Sequence, residues 1–551
     1  MKKYIITLLL ISVFASCEDV LEETNRNATN ADLLYTTESG YESLINSCYS
    51  FSRLWYGKTE GEAFTDLGTD LFTAASGCSG RPLAYYASDF QSNVDVIKYM
   101  WEGLYSALNT CNTAIARVEE APLSDDLKKL REGEARFLRA FYLWHITETW
   151  GEAILYTDEV SSVITTATHT SVDGFYEQIF TDLDLSIGLL NGTAPKENGR
   201  VTQVVAKAFK ARMLLTRGQF SEASALAKEV INTGAFNMYG TFAETFDINN
   251  SEGTTNNEAI WWVNYNADNT LNLHFDGIRG LWLWEGGNHA QAFSAMVYWT
   301  FPGMWVSPDV NRPSVQNMPT LAFLDMFDET VDERYDVTFR TVYHVNDLSS
   351  VGDTGLELGD TAVVCTKYAV SQEVKDSKPY KFVDRSSVYD ESGNIINSRE
   401  YFVSMFKFQD PTRATGWESE SKRDMYVMRI SEMYMIVAEA EMMQGNMTEA
   451  ATYINAVREK RAIDGKEPEM KITEADIDID FILDERAREF AGEHLRWFDL
   501  KRTGKLVDRV RKYNPDAAPN IQDFHNVRPF PLAELDAITN KDEFKQNQGY
   551  N

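Results

Sequence analysis

Two stretches of this chain carry the same helical signature, and they lie far apart. In VVAKAFKARMLLTRGQFSEASALAKEVINTG, Val204, Ala208, Ala211 and Leu215 form one stripe of a 3.6-residue helix, Gly218 breaks it, and Phe220, Ala223 and Ala227 start a second helix. The pattern returns in RISEMYMIVAEAEMMQGNMTEAATYINAVREKRA. There Ile430, Met433, Tyr434 and Val437 stripe the first helix, Gly445 takes the turn, Met447 the aromatic position and Ala450 the small one. Such hairpins bury their faces only by stacking on others, so the two copies are expected to meet in space.

Glycine at the turn, with alanine and aromatic residues at these offsets, resembles a tetratricopeptide hairpin. Trp101–Val118 and Leu127–Thr149 supply a third, more degenerate pair. The expected fold class is mainly α: a tetratricopeptide-like helical-hairpin scaffold with an irregular, loop-rich layer containing short β strands. Residues 1–16 read as a signal peptide and 17–37 as an acidic tether. Residues 38–245 form an N-terminal helical part, 246–420 a loop-rich insertion, and 421–551 a C-terminal helical part that completes the same domain. The insertion is expected to carry function, because binding residues favour loops held by a rigid frame.

The first residues, MKKYIITLLLISVFASC, place Lys2 and Lys3 before an apolar run too short to span a bilayer, which takes about 20 residues. Ala15 and Ser16 then precede Cys17, as in the lipobox of bacterial lipoproteins, so Cys17 is the expected lipidation site. Acyl chains anchor by roughly 0.8 kcal/mol per buried CH₂ without a transmembrane helix. Glu18, Asp19, Glu22 and Glu23 follow, resembling the surface-export signal of Bacteroidetes lipoproteins. The expected location is the outer membrane, lipid-anchored and facing outward. Cys48, Cys78, Cys111 and Cys365 show no C-x-x-C spacing, and their pairing stays open.

The formal charge of -31 at pH 7 comes from 83 acidic against 52 basic residues, and cleavage of the signal would remove two lysines. That excess excludes nucleic acid as a partner, since phosphate binding needs a basic surface.

Several further segments appear in a familiar order. They are FTDLGTD (64–70), WEGLYSALNTCNTAI (101–115), EARFLRAFYLWHITETWGEAI (134–154), the two hairpins, ILDERAREFAGEHLRWFDLKRTG (482–504), VRPFPLAEL and FKQNQGYN (544–551). Together with Cys17 they resemble the SusD/RagB family of Bacteroidetes outer-membrane nutrient-binding lipoproteins. Ala491 departs from the larger apolar residue usual there. The resemblance implies a non-catalytic surface protein. It would capture an oligosaccharide and pass it to a SusC-like TonB-dependent outer-membrane barrel. RagB-like members take peptides instead, which is the alternative reading, and a surface glycoside hydrolase is a more distant one.

Other motifs read as structural. In the 482–504 segment, Asp484 with Arg488 and Glu493 with Arg496 have helical pairing distances, among Phe490 and Trp497, so a partly buried ion-pair network is expected. Glu148 and Glu152 in ETWGEA could be cast as a glycosidase pair, but proximity is cheap among 83 acids. The seven histidines contain no H-E-x-x-H, so no transition-metal site is expected. Calcium prefers carboxylate oxygens, which Asp66 with Asp70, or Asp476, Asp478 and Asp480, supply. Neither set matches an EF-hand loop, so these are read as caps and solvated charge, and no cofactor is expected.

The aromatics carry the binding hypothesis, because sugar C–H faces lie on Trp or Tyr rings with polar groups at the rim. Two regions offer the mixture. One holds Arg81, Tyr85 and Tyr86; the other holds Trp282, Trp284, Asn288, His289, Trp299 and Trp305. The candidate ligand contacts are Arg81, Tyr85, Tyr86, Trp282, Trp284, Asn288 and Trp305. Trp101 and Trp144 are expected in the core, and at most one of Trp261 and Trp262 on the surface.

Overall fold

Helices α1 (Glu38–Ser50), α2 (Asp95–Arg117), α3 (Asp125–Trp150), α4 (Val172–Leu189), α5 (Gln203–Thr216) and α6 (Phe220–Asn232) follow one another in a computed structural model that describes residues 34–272 and 286–550. Cys17, Trp282 and Trp284 lie outside the described residues. Several helices start on a side-chain cap. The Thr37, Ser124, Ser171 and Thr202 hydroxyls accept the N–H of Gly40, Leu127, Gly174 and Val205, satisfying donors that the helix cannot. Two helical pairs recur late in the chain: α7 (Ile430–Met443) with α8 (Met447–Glu459), then α9 (Ile479–Phe490) with α10 (Arg496–Arg502).

The two matching hairpins do stack. α6 packs on α7, and Lys228 of α6 bonds Glu441 and Glu449 at 2.6 Å each. Arg212 of α5 reaches Glu432 at 2.6 Å and the Val427 carbonyl at 2.7 Å. Gly218 (φ +70°) and Gly445 (φ +82°) turn the two hairpins in the left-handed region that glycine adopts without strain.

Strands β1 (Phe72–Ala74) and β3 (Asn317–Pro319) pair antiparallel. So do β2 (Ala259–Val263) and β7 (Met425–Arg429), in a register that sets Trp262 opposite Tyr426. A third small sheet orders β4 (Val342–His344), β5 (Thr361–Cys365) and β6 (Lys381–Val383). β2 is covered on both faces, so Trp261 and Trp262 are both buried, as are Trp101 and Trp144. Cys48, Cys78, Cys111 and Cys365 are buried free thiols. Among the described residues no helix is long and apolar enough to cross a membrane.

The ends of β2, β7, α8 and α9 converge on a buried ionic network. Arg429 bonds Glu258 (2.7 Å), Glu489 (3.0 Å) and Glu493 (2.8 Å). Arg461 bonds Glu258 (3.0 Å) and Glu489 (2.9 Å), while Arg334 bonds Asp332 (2.7 Å) and Glu485 (2.9 Å). Lys407 bonds Glu493 at 2.6 Å. The arginine charges hold Glu489 well below the usual carboxylate range despite burial, whereas burial lowers Lys407 to about 8.

The network is there, but its pairs differ from those read off helical spacing. Arg488 pairs with Glu485 (2.7 Å) and Asp484 turns to Arg509. Glu493 and Arg496 do not share a helix face. α9 ends at Phe490, Gly492 and His494 take positive φ, and Arg496 opens α10 to bond Asp70 at 2.6 Å. The candidate calcium ligands are also spent. Asp480 pairs with Lys505 (2.7 Å), Asp478 caps α9, and Asp476 accepts from Thr473.

Arg429→Met removes the cation shared by Glu258, Glu489 and Glu493 and leaves the buried network one positive charge short, so a loss of about 3–5 kcal/mol is expected in denaturant unfolding. An unchanged midpoint at constant slope would rule this out. Asp66 is fully buried, accepting from the Thr65 hydroxyl (3.0 Å) and Gly492 N–H (3.3 Å). Burial pushes its carboxyl up to about 6, partly offset by those bonds and by Arg496 and Lys407. A raised carboxyl favours the folded state below its unfolded pKa, and that contribution is lost as pH rises through the folded value. Relative to Asp66→Asn, the wild-type chain should therefore lose on the order of 3 kcal/mol between about pH 4 and 7. Parallel stability curves for the two proteins would contradict this.

Candidate functional site

Three tryptophans stand exposed together: Trp299 (36%), Trp305 (52%) and Trp417 (47%). The ring centroids of Trp299 and Trp305 are 6.3 Å apart at 75°, and those of Trp299 and Trp417 are 6.1 Å apart at 65°. Indoles meet edge to face because the positive ring edge is drawn to the negative face. The surface is thus angular rather than the flat platform that the aromatic content suggested.

Local structure places each ring. The tight turn Tyr298–Thr300 sends neighbouring side chains opposite ways. Tyr298 goes inward, stacked on Tyr343 at 5.4 Å, and Trp299 goes outward. Gly303 (φ +81°) reverses the chain, and its carbonyl accepts the N–H groups of Asn346 (2.9 Å) and Asp347 (3.1 Å). The Asn346 side chain then clamps the Trp305 backbone, accepting its N–H (2.7 Å) and donating to its carbonyl (2.9 Å).

Trp417 arrives from another loop, fixed from beneath by Arg413. That buried guanidinium donates to five carbonyls: Asp410 (3.0 Å), Gly416 (3.0 Å), Glu418 (2.8 Å), Pro308 (3.2 Å) and Val310 (2.6 Å). Burial lowers the Arg413 pKa, and no carboxylate bonds it directly among the described residues. Gln291 adds a second staple, donating to the Glu418 and Ser419 carbonyls and accepting the Arg312 N–H. Gly416 lies so close to the Trp305 loop that a Cβ there would stand 2.5 Å from the Ser307 nitrogen. Polar groups at hand include Thr300 and Tyr401, whose hydroxyls lie 3.2 Å apart.

The structure corrects two expected ligand contacts. Tyr86 is buried in a left-handed turn (φ 51°), its ring between His525 (4.9 Å) and Phe90 (5.9 Å). Asn288 is also buried, donating to the Arg423 carbonyl (2.8 Å) and accepting the Ala290 N–H (2.8 Å). Arg81 is exposed and bonds the Ser76 carbonyl (2.7 Å); Tyr85 is half-buried within 6.0 Å of the Arg399 guanidinium. The segment 397–401 runs between this region and the tryptophans: Ser76 N–H donates to Arg399 C=O (3.1 Å) and Val297 N–H to Glu400 C=O (2.9 Å).

Of the expected set, Trp305 stands on the tryptophan face, joined by Trp299 from the same stretch. Trp417 went unread. Its signal is a lone tryptophan in the polar run TRATGWESESK, where no apolar periodicity calls for a core residue. The ETWGEA glutamate Glu148 serves the scaffold, bonding Lys501 (2.9 Å) and Tyr176 (2.6 Å). Among the described residues no cluster of three or more His, Cys, Asp or Glu is arranged to hold a metal.

Comparison with known proteins agrees with this architecture. Residues 37–215 match the family described as starch-binding, associating with the outer membrane. SusD-like protein P25 of Formosa agariphila is 25% identical, covering 96% of both chains. A laminarin-binding SusD-like protein superposes with a TM-score of 0.67 at 18% identity, covering 94% of this chain and all of that one. Surface glycan-binding protein A of Bacteroides thetaiotaomicron, solved with laminarihexaose, gives 0.68 at 17% identity, covering 93% and 99%. The SusD family model itself matches residues 245–550, more than half of the chain, and the protein belongs to the SusD family.

Proposed function

We propose that this chain is a non-catalytic, surface glycan-binding lipoprotein. It captures an oligosaccharide on Trp299, Trp305 and Trp417 and hands it to a SusC-like TonB-dependent barrel. The carrying observation is the exposure of three tryptophans, Trp299 in ring contact with both Trp305 and Trp417, on loops pinned from below. Every other tryptophan among the described residues is buried and these three are left outside, and exposed apolar patches of this kind mark binding surfaces. Each indole face takes the C–H side of a sugar ring, while nearby hydroxyls meet the sugar hydroxyls. The formal charge of -31 favours a neutral glycan over a polyanionic one. Relatives known to bind laminarin and laminarihexaose support a glycan ligand and make laminarin the first probe. Acylated Cys17 would hold the protein at the outer membrane.

Affinity electrophoresis in gels containing laminarin or another neutral glycan tests this reading. Retardation is expected, with affinity falling about tenfold or more in Trp305→Ala or Trp417→Ala, since each removes a stacking face. Unfolding midpoints should barely move, because both rings are exposed. Binding only to peptides, or retention unchanged in both variants, would overturn the proposal.

The loop base is tested separately. Gly416→Ala forces the Trp417 loop off the Val306–Ser307 backbone, so glycan affinity should fall although every tryptophan remains. Wild-type affinity in Gly416→Ala would show that the close approach does not position the ring.

A further inference from the structure

A pocket of about 370 Å³ opens between α2, the loop following α3, and α12 (Leu532–Ala537); α11 (Leu506–Tyr513) precedes that last helix. Three rings line the pocket. Trp101 and Tyr105 lie 4.4 Å apart, and Tyr156 stands 6.1 Å from Tyr105 at 77°. Most polar groups here are already spent. The Tyr105 hydroxyl donates to the Ile154 carbonyl (2.8 Å) and accepts its N–H (3.1 Å), and Asn109 uses both ends of its amide on the Val160 backbone.

What remains is negative charge. Trp101 Nε1–H donates to one oxygen of Glu534 (3.3 Å), and among the described residues no lysine, arginine or histidine pairs with that half-buried carboxylate. Glu102 is a second carboxylate on the wall, with Lys98 3.8 Å from it. Burial, and then the Glu102 charge, raise the Glu534 carboxyl above its ordinary value. The rim is apolar. Val163 (90% exposed) and Ile164 follow Val160, and Leu532 is exposed on α12. Thr165 C=O accepts Thr539 N–H at 2.8 Å, which holds that loop beside the end of α12.

We infer that this pocket receives an arginine side chain of a partner protein. A planar guanidinium stacks on aromatic faces while donating to a carboxylate, which matches the half-buried Tyr105 and Tyr156 rings in a pocket whose Glu534 has no cationic partner among the described residues. A sugar would need donors and acceptors that Tyr105 and Asn109 have already used. A wholly apolar insert would cover the Glu534 carboxylate and leave it only the Trp101 N–H. Val163, Ile164 and Leu532, exposed within four residues of the lining residues Val160 and Glu534, offer a partner protein apolar surface of the kind that surrounds a buried anchor. The acidic excess of the chain steers a basic partner toward it.

The test titrates the full mature chain with N-acetyl-arginine amide and with N-acetyl-citrulline amide, which keeps the shape and loses the charge. Saturable binding of the arginine probe is expected, with citrulline weaker by about tenfold or more. Glu534→Gln, which retains an acceptor for Trp101, should abolish that discrimination, Tyr156→Leu should weaken the arginine probe, and glycan retention should stay unchanged in both. Equal binding of the two probes, no saturable arginine binding, or indifference to Glu534→Gln would overturn the assignment. Displacement of the arginine probe by a neutral oligosaccharide would also overturn it.

Discussion

Glu489 sits where the chain is tied to itself. Its carboxylate faces Arg429 from a strand end, Arg461 from the end of a hairpin and Arg334 from the insertion, all out of contact with water. Taking these ions out of water costs several kcal/mol each, and only complete mutual pairing offsets that cost. An arrangement that brings two of the segments together without the third leaves a bare charge inside. The hydrophobic stripes of the helices can slide against one another at small penalty; the charged centre cannot. It ties the stacking of the distant hairpins to the seating of the insertion.

The helical frame was legible because its signals are local. Gly218 and Gly445 announce turns, and Ala208, Ala211, Ala223 and Ala450 mark close helix contacts, whatever lies elsewhere in the chain. The ionic network was legible only as a density of charge. Spacing along one helix suggested Asp484 with Arg488, whereas the actual partners of Glu489 and Glu493 come from positions 334, 407, 429 and 461. Nothing in a linear sequence ranks a contact across such separations. The same limit governed the binding face. Tyr86 and Asn288 have the composition of ligand contacts, but their neighbours in space use up their hydrogen bonds and faces. Trp417 has no companion nearby in sequence and meets Trp299 only in the fold.

The tryptophan face and the arginine pocket differ in how they treat polar groups. Around the face, the side chains that bond (Asn346, Gln291, Arg413) act on backbone and leave the rings to the outside. In the pocket, hydrogen bonding is turned inward and a carboxylate is left over. One surface suits a ligand recognised by shape and C–H contact; the other suits a ligand recognised by charge.

Arg413 binds five carbonyl oxygens and no side chain of the loop it holds. Carbonyls are common to every residue type, so the loop keeps its foothold whatever side chains it displays, provided Gly416 keeps its close approach. Residues on the outer rim can therefore be exchanged over evolutionary time without renegotiating the frame beneath. One scaffold can be refitted to new ligands by drift in a handful of outward positions.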